Sequence, residues 1–207
     1  MKFRFCLVVA LLCPGIPALA QMNLFVGLSV QAATGYQTVS PYLSHYQKSG
    51  AYTASQNSTG YPLTVSGFYN WPVSDRIVMG VGYERNLINT KAGSQYYFNG
   101  TSGSTSLMGF KNQSQLSLMA GHLIKNDGLL YAKLGYAEVD TTYASNNFSM
   151  SGLGTGVGYK TFLNPFQFVF TEFNYTKMAD TTVSNGSETF RATATGKGAL
   201  VGLGWQF

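Results

Sequence analysis

Four charged residues, Glu84, Lys133, Lys160 and Glu172, stand out in a 207-residue chain of which only 10% is Asp, Glu, Lys or Arg. Each lies in a run of alternating polarity, RIVMGVGYE, LLYAKLGYAE, SGLGTGVGYK or FQFVFTEFNY, and each falls on the parity expected to point inward. Two acids and two bases on one interior parity can do one of two things. They can form a gate on a narrow ion path, or they can neutralise one another as a plug, because a charge enclosed in a narrow apolar shell costs several kcal/mol unless it is paired. The pair expected to meet is Lys133 with Glu172, since both lie well above the turns that start their runs. Nucleophilic chemistry is thinly supplied. Acyl transfer would need a histidine with a serine and a carboxylate at hand, and the histidines are His45, in the Ser-rich SPYLSHYQKSG, and His122, near a turn. Neither sits in a recognisable motif. Two distant histidines and isolated carboxylates offer no metal-ligand spacing. The reading is a protein without catalytic residues, metal or cofactor.

The elements that must position these charges follow from the ends of the chain and its composition. The first twenty residues, MKFRFCLVVALLCPGIPALA, carry Lys2 and Arg4, an apolar run, Pro14, Gly15 and Pro17, and then Ala18-Leu19-Ala20. That is the plan of a secretory signal peptide, and the apolar run is far short of the roughly 20 residues of a spanning helix. The expected organisation is a signal peptide at 1–20, cleavage after Ala20, and one domain over 21–207 beginning at Gln21. Cys6 and Cys13 would leave with the signal, so disulfides, thiolate metal sites and cysteine nucleophiles are excluded. Removing Lys2 and Arg4 from the thirteen basic residues leaves eleven against eight acidic ones. A net +3 spread along the chain is no nucleic-acid footprint.

The composition is 45% hydrophobic and 14% aromatic, too poor in charge to coat a water-facing surface against the roughly 25% usual for soluble domains. Apolar residues must then reach lipid in pieces shorter than a helix, and only helices and closed barrels satisfy their backbone within a bilayer. Eight alternating runs are predicted as strands, starting at Leu24, Leu63, Arg76, Gln115, Leu129, Ser151, Phe166 and Lys197. Short turns are expected at Trp71 to Asp75, at Lys125 to Gly128 and at Leu163 to Pro165, alternating with four long connections read as surface loops: Thr34 to Pro62, Arg85 to Ser114, Val139 to Met150 and Thr176 to Gly196. Glycines recur on the inward parity, including Gly80, Gly82, Gly154, Gly156, Gly158, Gly202 and Gly204, as a narrow lumen requires. The run from Gly152 to Gly158 has the spacing of a pleat, and no helix pattern follows that would make it a phosphate loop. The fold class is all-β: a membrane-spanning, eight-stranded antiparallel up-and-down barrel.

The last strand places Ala199, Val201, Leu203, Trp205 and Phe207 on one outward face. This ending, GLGWQF, is similar to the sorting signal read by the machinery that assembles outer-membrane barrels. Together with the export signal and strand count, it makes the chain resemble the superfamily of small eight-stranded barrels that includes the OmpA transmembrane domain, OmpX and Ail, and the neisserial opacity proteins. That resemblance implies residence in the outer membrane of a Gram-negative bacterium as a monomer among lipid and lipopolysaccharide, with the barrel-assembly machinery as partner. It also brings a lipid-modifying enzyme into view, as a third reading behind a narrow passive channel. The first reading is a structural or surface-interaction barrel. Tyr36, Tyr42, Tyr46, Tyr52, Tyr96 and Tyr97 are its candidate contacts to a host or cell-surface ligand, or else members of the interfacial girdle or of strands continued above the membrane.

Overall fold

The computed structural model describes residues 24–46, 52–98, 103–124, 127–143, 146–185 and 188–207. The expected signal segment, its cleavage site and Gln21 lie outside the described residues, as do Lys125 and Asn126. Within them the chain forms twelve strands: β1 (Gly27–Tyr46), β2 (Tyr52–Ser55), β3 (Ser58–Gly60), β4 (Leu63–Ser74), β5 (Ile77–Asn86), β6 (Thr90–Phe98), β7 (Gly103–Ile124), β8 (Gly128–Tyr143), β9 (Asn146–Asn164), β10 (Gln167–Met178), β11 (Thr181–Asn185) and β12 (Glu188–Gln206). Eight of them close a ring in the order β1, β4, β5, β7, β8, β9, β10, β12, with every neighbour antiparallel and β12 paired back to β1. Closure leaves the ring without an edge, so its backbone is satisfied in a medium that offers no water.

The register fixes the shape of the ring. Stepping across partners from Ser29 through Phe68, Gly82, Ser117, Gly135, Gly154, Thr176 and Gly196 returns to β1 at Val39, ten residues along. Ten residues of stagger over eight strands gives a tilt of about 40° and a lumen that side chains alone can fill. Both ends of the described chain meet at one rim, where the Phe207 N–H donates to the Leu28 carbonyl at 2.8 Å and Gln206 Nε2 donates to the carbonyls of Val26 and Leu28.

Alternation sorts the side chains. Leu28, Val30, Val81, Leu116, Leu118, Leu134, Val157, Phe173, Val201 and Leu203 are exposed on the outer surface, with Trp71, Trp205 and Phe207 at the lower rim and Tyr36, Tyr136 and Tyr175 above. Lys177 follows Tyr175 and Glu138 follows Tyr136, each two residues further up an outward face. Between Lys197 and Trp205 on β12 the apolar band covers about 20 Å along the axis at this tilt, close to the roughly 25 Å of membrane barrels.

Two expectations are corrected. The stretch from Trp71 to Asp75 is not a tight turn: β4 runs on to Ser74 past a register shift between Pro72 and Ser74, and Asp75 and Arg76 make the turn. A bulge accommodates the missing N–H of proline. The four long connections are strands over much of their length. β1 pairs with β12 as far as Tyr46 and Thr189, β7 begins at Gly103, β8 runs to Tyr143, and β2, β3, β6 and β11 pair onto these extensions. Above the membrane the outward face of a strand can be polar, so Ser- and Thr-rich segments lose the apolar-outward alternation that marks a membrane strand without losing the ability to pair. Tyr36, Tyr42 and Tyr46 therefore belong to β1, Tyr52 to β2, and Tyr96 and Tyr97 to β6, rather than to loops.

The third short turn shows its local cause. Asn164 Oδ1 accepts the N–H groups of Phe166 and Gln167 at 3.0 and 2.9 Å, an Asx turn that reverses the chain between β9 and β10. Inside the lumen, glycine is required where aromatic rings cross from the neighbouring strand. A Cβ at Gly204 would come within 2.2 Å of the Phe168 ring, and one at Gly82 within 2.2 Å of the Phe68 ring, whereas a Cβ on Gly67 would make only an ordinary contact. Gly204→Ala is expected to lower stability by about 1–3 kcal/mol and Gly67→Ala by less than about 0.5 kcal/mol. Urea unfolding in lipid vesicles reads both, and equal midpoints would contradict the packing.

Candidate functional site

The four interior charges come from four staves of the ring: Glu84 from β5, Lys133 from β8, Lys160 from β9 and Glu172 from β10. Their burial follows from parity, since each takes the lumen side of a strand whose other side carries the lipid-facing residues. All four are buried. Lys133 stands between the two acids. Its Nζ donates to both oxygens of Glu84 at 2.5 and 2.7 Å and lies 2.8 Å from Glu172 Oε1. The stagger explains how strands that are not neighbours supply one site: the tilted staves bring Glu84, Lys133 and Glu172 to one height, and Gly135, Gly154, Gly156 and Gly158 clear the wall beside them. A Cβ on Gly156 would press on the Lys133 side chain and on Asn174.

Glu172 is further held by Tyr131, whose hydroxyl donates to Oε2 at 2.9 Å, and by Asn174, whose Nδ2 donates to Oε1 at 2.8 Å. Sequence reading missed both residues, although Tyr131 and Asn174 lie two positions from Lys133 and Glu172 on the same inward parity. Lys160 is placed differently. Its Nζ is 5.0 Å from the ring centroid of Phe68, 4.9 Å from Tyr131, 5.3 Å from Phe168 and 5.9 Å from Phe170. Within about 6 Å of an aromatic face a cation is attracted by the ring quadrupole, more strongly where water is absent. The lysine thus sits in an aromatic cage just below the ion cluster, not in a carboxylate contact. Lys160→Met, which leaves the rings packed against an apolar chain of similar length, is expected to cost about 2 kcal/mol less than Lys133→Met. Equal losses in urea unfolding would place the ion-pairing role on Lys160 as well.

Above and below the charges the lumen is apolar. The lower layer is Phe25, Phe68, Val78, Met119, Leu129 and Tyr131, joined through Phe162 to Phe168 and Phe170. The upper layer, inside the strand extensions, is Val39, Met108, Phe110, Ala137, Val139, Tyr143, Met150, Met178, Ala192 and Ala194. Between the charges and the upper layer lies a polar cavity of about 70 Å³, lined among others by Gln37, Thr64, Glu84, Gln113, Gln115, Lys133 and Asn174. Among the described residues the arrangement can hold charge and a little water, and two apolar layers lie across the axis.

The remaining candidates stay apart. His122 is exposed on the outer face near the lower rim, beside Ile77 and Leu130, while His45 lies near the top of β1, opposite Phe190. The two histidines are at opposite ends of the barrel. Val201, Leu203, Trp205 and Phe207 are exposed on the outer face of β12, and Ala199 is half-buried on the same parity. Tyr36 is exposed and packs edge-on against Tyr61, with centroids 6.2 Å apart, and Tyr42 is exposed six residues higher. The side chains of Tyr46, Tyr52, Tyr96 and Tyr97 lie outside the described residues.

No protein-family model matches the chain, and neither does any curated protein sequence. Solved structures do. The outer membrane protein OprG from Pseudomonas aeruginosa is 15% identical with a TM-score of 0.62, the match covering 88% of this chain and 97% of that one. Ail, the attachment invasion locus protein of Yersinia pestis, is 14% identical with a TM-score of 0.48, over 88% of this chain and 99% of that one. Neisserial surface protein A is 12% identical with a TM-score of 0.46, over 84% and 96%. With the closed ring, the stagger, the apolar band and its tyrosines, the likeness to OprG carries the conclusion on fold: the chain has the architecture of the small bacterial outer-membrane β-barrels, its lumen filled by side chains.

Proposed function

We propose that the protein is a monomeric outer-membrane barrel with a structural and surface-interaction role, exported by the segment 1–20 and matured to begin at Gln21. The observation that carries this reading is the two-level architecture. A plugged barrel supplies the anchor, and the strand extensions above the tyrosine girdle raise a rigid scaffold outside, with Tyr42 exposed on it. A scaffold of paired strands displays aromatic side chains at low entropic cost, which suits it to binding a host or cell-surface ligand. Lipid and lipopolysaccharide surround the band, and the outward residues of β12 serve the barrel-assembly machinery.

The test replaces residues 41–61, 92–109, 141–148 and 181–190, one stretch at a time, by short Gly-Ser turns. Binding of whole cells to matrix proteins and host cells is then measured. Loss with at least one replacement, at unchanged surface level, is the expected result; equal binding by all four and by cells lacking the protein would reject the interaction role. A narrow channel is the second reading, favoured by the polar cavity beside Lys133 and Glu84. It requires both apolar layers to open.

A further inference from the structure

The charges that ring the barrel just above the tyrosines are unevenly distributed. On β5, β7 and β8 the outward groups balance: Arg85 and Lys111 stand near Glu138 and Asp140, and Arg85 is tied to Asp140 through Asn112, which accepts from Arg85 Nη2 at 3.0 Å and donates to Asp140 at 2.9 Å. On the opposite face, β10 and β12 carry Lys177 and Lys197. Both are exposed. Tyr175 is the cross-strand partner of Lys197, and Lys177 that of Thr195, so the two lysines are diagonal neighbours on the outer surface. Such neighbours are roughly 7–8 Å apart at the backbone, within mutual reach of long side chains. Among the described residues the ion pairs are those of Lys133 and that of Arg191 with Asp180, so neither Lys177 nor Lys197 has a carboxylate in contact.

We propose that Lys177 and Lys197 form a clasp for the phosphate-bearing headgroup of an outer-leaflet lipopolysaccharide molecule, whose acyl chains lie on the surface below. Two ammonium groups within reach of one another repel until an anion comes between them, and a doubly charged phosphate suits that role. The height of the clasp selects the source of the phosphate. Tyr175 and Phe173 lie directly beneath Lys177, Ala199 and Val201 beneath Lys197, and Tyr36, the partner of Ala199, flanks them on β1. Phe173 is 65% exposed and Val201 56%, an apolar strip continuous with the membrane band. An anion fixed at the border between such a strip and water is the headgroup of a lipid, and lysine stems reach that border with their charge in water. This inference rests on the reading that the strand extensions stand outside the outer membrane.

The experiment uses the full mature chain folded in neutral detergent micelles. Binding of diphosphorylated lipid A, of the same lipid A with its phosphates removed, and of inorganic phosphate is followed by native mass spectrometry. The expected result is that wild type binds lipid A about tenfold or more tightly than does Lys177→Gln/Lys197→Gln, while the control Lys91→Gln/Lys111→Gln changes binding less than twofold. Dephosphorylated lipid A should bind wild type no better than intact lipid A binds the double variant, and millimolar phosphate should not compete. Equal affinity of the wild type for the two lipids would overturn the clasp, whatever the variants do, and so would saturation by phosphate alone. Fractionation of wild-type cells tests the location separately: a chain absent from the outer membrane would defeat that reading even with lipid binding intact.

Discussion

Replacing Lys133 by Met is expected to destabilise the barrel by about 3–5 kcal/mol, the loss that follows when a buried charge cluster is left uncompensated. Lys133 is the shared cation of two carboxylates, in contact with both oxygens of Glu84 and with Glu172. Its removal leaves two acids facing each other in a narrow space, where, among the described residues, Tyr131 and Asn174 donate to Glu172. The size of the cost comes from the groups left behind, not from the strength of the bond removed. Adding Glu172→Gln should therefore recover part of the loss, because Glu84 then stands alone against Lys160 and the interior charges again sum to zero. Urea unfolding of the series in lipid vesicles measures these couplings. Additive losses, with no recovery in the double variant, would mean that the carboxylates do not depend on Lys133.

Phe207→Asp should act on assembly. Phe207 is 76% exposed at the lower rim, and its backbone N–H holds the seam between β12 and β1. That hydrogen bond survives the substitution, and a carboxylate near the membrane interface costs only about 0–1 kcal/mol. Folding of purified protein in vesicles should change little. In cells the outward series Ala199, Val201, Leu203, Trp205 and Phe207 would end in a charge, and the surface level is expected to fall about tenfold, more than that stability change accounts for. Normal surface level in the variant would remove the sorting role from this ending; an equal failure in vesicles would assign the effect to stability.

The barrel was legible because its membrane-spanning part obeys one physical rule, alternation between lipid and lumen. That rule picked out the eight staves, the faces of β12 and the interior position of Glu84, Lys133, Lys160 and Glu172. It failed where the rule lapses. Between Thr34 and Pro62, and again between Arg85 and Ser114, the outward face of the chain meets water instead of lipid, so the apolar-outward alternation lapses and the sequence reads as loop while the backbone pairs on as strand. The partners of the charges were hidden for another reason. Which residues meet inside a narrow barrel depends on the ten-residue stagger of the ring, which is the sum of small offsets between neighbours that no single strand displays. Lys133 with Glu172 was within reach of a parity argument; the closer hold of Lys133 on Glu84 and the four rings around Lys160 were not.

The closed lumen is the property on which the proposed role depends. Two apolar layers and four interior charges that sum to zero are stacked along the axis, with a polar cavity of about 70 Å³ between the charges and the upper layer. Recording from the mature chain in planar lipid bilayers tests this most directly. A plugged barrel passes no stable current at moderate voltage, and Lys133→Met gives at most brief, irregular openings from loosened packing. A steady, voltage-independent conductance in the unmodified protein, of the size expected for an open water-filled pore, would show that the lumen is a channel and that the interior charges line a path instead of closing one.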